Sequence, residues 1–352
     1  MKKFYNKALF YKEFKSSLSF IGILWLSLFM EFTNHFIRET QNLKTLSKDL
    51  ISMGTYNSIE FTENISNTLS SLSNNSGMFY SICSLIIISF WIVGKERQNN
   101  RNEMLSTMPF SREEIIGTKW ILVFISIIIA MFLNLAIILW NCSVNSNIYS
   151  IIPNIYNLLL YWIISKTLLY IFIFTFIMFV SSICGRFFTG GLLGSIFLIV
   201  PFYLTVTIPP FIGYFAVING TRLISEATIA NLENFVLRIY ALFNFYTYDN
   251  NLVKYFNTLS LLSIIGIIIF LSLLFISFKN NSFEKINELC MFKSFEYILK
   301  IGVSVCFTLL ITTIAVDTNA HTIEDAYIAA PTAFITLIVT YILTNKIIKY
   351  FK

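Results

Sequence analysis

Gly94-Lys-Glu-Arg-Gln-Asn-Asn-Arg-Asn-Glu-Met-Leu-Ser-Thr-Met-Pro-Phe-Ser-Arg-Glu-Glu-Ile-Ile-Gly-Thr-Lys-Trp120 is a basic, polar stretch set between two apolar runs. The run before it, Met78 to Val93, and the run after it, Trp120 to Trp140, are each apolar enough to cross a bilayer. The stretch is therefore a loop between two spans, and its chemistry predicts structure. Asn102 to Met108 contains good helix formers, with Met104, Leu105 and Met108 at helical spacing. Pro109 ends that helix, because a proline pushes the residue before it out of the helical region. Ser111-Arg-Glu-Glu114 then has the spacing of a capping box, in which hydroxyl and carboxylate each bond the other residue's backbone amide. A short helix, a sharp turn and a capped restart are thus expected at one membrane surface. On local chemistry alone the stretch reads equally well as a solvated hairpin with a good cap.

Working outward, the 352 residues are 56% hydrophobic, 17% aromatic and 12% charged. A soluble domain carries about 25% charged residues. The deficit, with repeated long apolar runs, predicts an all-α polytopic transmembrane helix bundle. The net charge of +6 carries no nucleic-acid signature, so the lipid bilayer and not nucleic acid is the expected medium. The cysteines (Cys83, Cys142, Cys184, Cys290, Cys306) are scattered without a Cys-x-x-Cys, so no zinc site or disulfide framework is expected. The first apolar run starts late and lacks a small-residue cleavage site, which argues against a removable signal peptide.

In chain order, residues 1–16 mix Lys2, Lys3, Lys7, Lys12 and Lys15 with Phe4, Ala8, Tyr11 and Phe14 on one helical face. That pattern predicts an interfacial amphipathic helix. Spans are expected at about 17–36, 78–94, 120–141, 158–184, 190–206, 259–278, 297–316 and 327–345. Eight are preferred, and six remain open. The fifth run contains Pro201, Pro209 and Pro210 and is expected to end near Val206, followed by a broken or re-entrant piece. The implied organisation is a six-span core over 17–278, with loop 95–119 and external segments 37–77 and 219–258, and a two-span extension over 279–352. The polar 37–77 segment is too poor in large apolar residues to pack a core by itself. Eighteen of the 25 Lys and Arg fall in the segments on the loop 95–119 side and six on the other. The bias puts both termini and the loop in the cytoplasm, which requires an even number of spans.

Glu103-x-Leu105-x-x-x-Pro109-x-Ser111-Arg112-x-Glu114-Ile115-Ile116-x-x-Lys119 resembles the cytoplasmic loop between the second and third spans of type-2 ABC transporter permeases. The match covers about a twentieth of the chain, and the order of spans around it agrees. The resemblance implies a coupling helix that docks on a separate cytoplasmic ATPase subunit. In the helix around Glu103 to Pro109, Met104, Leu105 and Met108, with Phe110 beyond it, would fill the ATPase groove, and Arg101, Arg112, Glu113 and Glu114 would set the polar rim, with Ser111 holding the turn. It further implies an exporter in the plasma membrane, with a second permease chain as homodimer or heterodimer partner. ATP and Mg would be bound on the ATPase. The sequence has no Gly-x-x-x-x-Gly-Lys-Ser/Thr, so no cofactor is expected on this chain.

Two ionisable residues fall inside expected spans, Glu31 in the first and Lys166 in the fourth. Each costs up to about 3 kcal/mol near the bilayer centre. They either pair or line a polar path across the bundle, or reach out to the headgroups. His35 and His321 are the only histidines, and His321 lies near Asp317, Glu324 and Asp325 without fixed ligand spacing, as in a solvated acidic loop. No catalytic cluster is evident, so a transport subunit and not an enzyme is expected. The alternative reading is a stand-alone secondary transporter or channel, which calls for ionisable residues deep in the membrane.

Overall fold

The structure is a computed structural model, and it describes residues 6–52, 77–98, 110–149, 155–185, 187–215, 217–218, 221–222, 252–280, 291–316 and 323–350. The elements are α1 (Lys7–Phe29), a π-turn (Met30–Asn34), α2 (His35–Ser52), α3 (Gly77–Gln98), α4 (Arg112–Val144), α5 (Ser146–Tyr149), α6 (Ile155–Ile183) and α7 (Phe187–Phe215). A two-residue hairpin, β1 (Val217–Ile218) with β2 (Thr221–Arg222), precedes α8 (Leu252–Asn280), α9 (Lys293–Ala315) and α10 (Ile323–Tyr350). The chain is an all-α bundle. Among the described residues, seven helical stretches are long and apolar enough to cross a membrane, and a shorter apolar stretch, Thr189–Pro201, lies within α7. The protein is thus a multi-pass, membrane-embedded one.

The chain divides into two compact units, one of residues 1–182 and 245–281, the other of 183–244 and 282–352. In this division the fifth apolar run groups with the last two spans. The reason is aromatic and polar packing within that second unit. Phe197 of α7 meets Phe295 at the start of α9, with ring centroids 5.7 Å apart. The Tyr203 hydroxyl donates to the Cys306 carbonyl at 2.8 Å. The expected break after Val206 is also absent, because α7 stays helical to Phe215. α9 and α10 pack together, with Val316 and Ala329 buried at their junction. Ser304, Thr308 and Thr312 are buried on α9, each hydroxyl bonded to the carbonyl four residues back, so no polar atom is left to the apolar surroundings.

In the first unit, α1 packs on α3 and α4. The basic segment expected as a separate interfacial helix is, from Lys7 on, the first turns of α1 itself. No proline lies between Lys7 and Ser52 to interrupt it. Its apolar stripe is nevertheless outward, as an interfacial face requires: Tyr11, Phe14 and Leu18 are exposed, whereas Leu9, Glu13 and Ser17 are buried.

Beyond the membrane run, the helix does not stop. The polar segment after residue 37 begins as α2, which carries Phe36, Thr40 and Leu43 buried on one face. The buried positions Leu24, Leu28, Phe32, Phe36 and Thr40 follow one another at steps of four. In an unbroken α-helix four such steps drift by roughly 160°, to the opposite face. The extra residue of the π-turn takes back roughly 100° of that drift, which keeps the stripe inward. The π-turn is therefore written into the spacing of the apolar residues.

Close packing elsewhere in this unit rests on a glycine. A Cβ on Gly266 of α8 would lie 2.5 Å from the Phe172 ring of α6. Phe270, one turn on, meets Phe172, Phe176 and Phe179. The remaining face of α8 is a row of exposed Leu and Ile, as a lipid-facing helix requires.

Candidate functional site

Two polar sites lie within the first unit, one where α4 begins and one around the π-turn. At the first, Ser111 is the N-cap of α4. Its Oγ accepts from the Glu114 amide at 3.2 Å, and the Glu114 carboxylate accepts from the Ser111 amide at 2.9 Å. The expected capping box is present in both directions. Arg101, Glu103, Met104, Leu105, Met108 and Pro109 lie outside the described residues. Phe110, expected by resemblance to face a partner, packs with Phe278 against Leu9 and Ile115, so part of its ring belongs to the bundle.

The first turns of α4 are clasped by four other helices. Six consecutive residues, Ile115 to Trp120, are buried, which is only achievable when a helix is surrounded on every side. From α1's N-cap, the Asn6 amide donates to Thr118 Oγ1 at 3.3 Å. The Lys119 ammonium donates to the Ile92 carbonyl of α3 at 2.8 Å. The Trp120 indole donates to Thr175 Oγ1 of α6 at 3.0 Å. Arg112 donates to the Lys279 carbonyl at the end of α8, where a cation meets the negative pole of the helix. The Lys119 bond joins α3 and α4, the two helices between which residues 99–109 lie. Sequence reading placed Arg112 and Lys119 in the loop pattern but could not assign these long-range acceptors.

The second site surrounds the π-turn. Glu31 is 4% exposed and Lys166 is 2% exposed, so neither side chain reaches out of the bundle. The two charges act on one another, and the Tyr170 hydroxyl donates to Glu31 Oε1. Ser81 of α3, fully buried, lies beside both the carboxylate and the phenol. The next residue, Phe32, packs between Trp162 and Tyr170, with centroids 5.1 and 6.1 Å away. The one after, Thr33, donates to Asn134 Oδ1 of α4 at 2.6 Å. Three consecutive residues thus all meet partners, Glu31 and Phe32 on α6 and Thr33 on α4, which the wider π-turn permits.

Of the dispositions the sequence left open, reaching out to the headgroups does not fit the burial of both side chains. Tyr170 was not singled out in the sequence. Trp162, Lys166 and Tyr170 recur at steps of four, so they share one helix face, and that spacing is the signal that would have found it.

Beyond the π-turn, α2 docks on the short helix α5. Phe36 stacks on Tyr149 at 5.7 Å, and Thr40 and the Tyr149 hydroxyl share a hydrogen bond of 2.7 Å. Burial pushes the Tyr149 phenol up to about 12, so it stays protonated. His321 and Asp317 lie outside the described residues, and among the described residues no group of three His, Cys, Asp or Glu could hold a metal ion. No protein-family model, curated protein or solved structure matches the chain.

Proposed function

We propose that this chain is the membrane-spanning subunit of a type-2 ABC exporter in the plasma membrane. A separate cytoplasmic ATPase binds the 95–119 turn and supplies ATP hydrolysis, and a second permease chain completes the pathway. The observation that carries this reading is the clasp around the start of α4. A push on the turn reaches Arg112 to Trp120 directly. Those residues are bonded to α1, α3, α6 and α8, so the displacement is shared among five helices and does not dissipate in one. A loop that merely connected two spans would need no such bracing. The pattern from Glu103 to Lys119, which resembles the coupling loop of these permeases, supports the same reading. Affinity purification of the full-length tagged chain from its native membrane tests it. A co-purifying subunit with a phosphate-binding loop and ATP hydrolysis is expected, and recovery of the intact chain with no nucleotide-hydrolysing partner would overturn the reading.

One observation favours a second reading, a stand-alone secondary transporter. Glu31 and Lys166 are ionisable residues buried within the bundle, a placement that marks ion pathways in carriers. Ion-gradient-driven uptake by the purified chain alone, in vesicles without ATP, would select it over the first.

A further inference from the structure

We propose that the Glu31–Tyr170–Lys166 cluster is a phase lock on the first helix: it holds the π-turn in register, and its release lets that turn relax and rotate α2 off Tyr149. The geometry makes the cluster and the arm one device. Glu31 and Phe32 are held by α6, and Thr33 by α4, within a single π-turn. The helix continues without a break from that turn into α2. Whatever fixes the phase of the turn therefore fixes which face of α2 meets Tyr149. If the π-turn relaxes to α-helix, the residues beyond it rotate by roughly 100° and shift by about 1.5 Å. That rotation swings Phe36, Thr40 and Leu43 away from α5.

Energetics argue that the cluster does more than hold the bundle together. Apolar residues of similar volume in place of a buried ion pair are often neutral or stabilising, whereas removal of one partner is costly. Registry is the best-attested use of such buried charges. Here the neighbouring arrangement is the same helix one residue out of phase.

Labelling of a buried cysteine tests the lock, and it requires no ATP-driven partner, so its outcome stands apart from the permease reading. The full-length chain, with its five native cysteines replaced by alanine, is placed in nanodiscs, where both ends of the bundle are accessible. Thr40→Cys reports on α2, because Thr40 is 2% exposed when docked. Thr118→Cys, at the opposite end of the first unit, reports on the bundle as a whole, because Thr118 is also buried. Adding Glu31→Gln or Lys166→Met is expected to speed maleimide labelling at Thr40→Cys by at least about tenfold, a shift in favour of the rotated state, while labelling at Thr118→Cys stays unchanged. Unchanged labelling at Thr40→Cys would overturn the proposal. Faster labelling at both positions would overturn it as well, since the cluster would then support the whole bundle and not the phase of one arm.

Discussion

The two polar sites of the first unit solve the same problem in opposite ways. Where α4 begins, cationic side chains bond to main-chain carbonyls: Lys119 to Ile92 and Arg112 to Lys279. Around the π-turn, charged side chains are set against each other, Glu31 with Lys166, and Tyr170 bonds the carboxylate. The Ile92 carbonyl, inside α3, keeps its own backbone donor when a side chain leaves. A buried carboxylate that loses its cation is left as an uncompensated charge. The first site is accordingly built to be stiff and tolerant, and the second to be decisive between two arrangements.

The difference can be broken at its strong end first. Glu31→Ala or Lys166→Ala is expected to cost about 3–5 kcal/mol, because each strands one buried charge. The double variant Glu31→Leu/Lys166→Met should lose far less than either single change, and thermal unfolding in detergent micelles measures both. At the α4 end, Lys119→Met should cost about 1.5–3 kcal/mol, the worth of one charge-assisted hydrogen bond, that to the Ile92 carbonyl. The smallest effect is expected for Ser111→Ala, about 1 kcal/mol, the usual loss of an N-cap. If Lys119→Met proves as damaging as Glu31→Ala, the contrast between the sites disappears.

What was legible in the sequence depended on how far apart the interacting residues lie. Ser111 and Glu114 are three residues apart, so the capping box could be read directly and is present in both directions. The spans could be read because apolar length alone defines them. Glu31 and Lys166 could be marked as costly residues in a membrane, but nothing local names a partner 139 residues away, as Tyr170 is from Glu31. α2 falls largely in the segment 37–77, which reads as polar because it is rich in Ser, Asn, Thr and Glu and poor in large apolar residues. Its stripe of Phe36, Thr40 and Leu43 is only three residues wide and includes a hydroxyl, whose place inward depends on Tyr149. The split of α7 toward α9 and α10 was likewise invisible, because it rests on pairs such as Phe197 with Phe295. The prolines after Val206 argued for a break, yet the helix persists to Phe215.

The central claim is that the turn leading into α4 receives mechanical work from an ATP-hydrolysing subunit. The most direct measurement is retention of that subunit on the tagged full-length chain carrying Leu105→Asp or Pro109→Asp, compared with the unaltered chain at equal membrane insertion. The account predicts that the ATPase and transport are both lost while the chain still inserts and stays monodisperse. Retention of the ATPase at the unaltered level by both variants would contradict it.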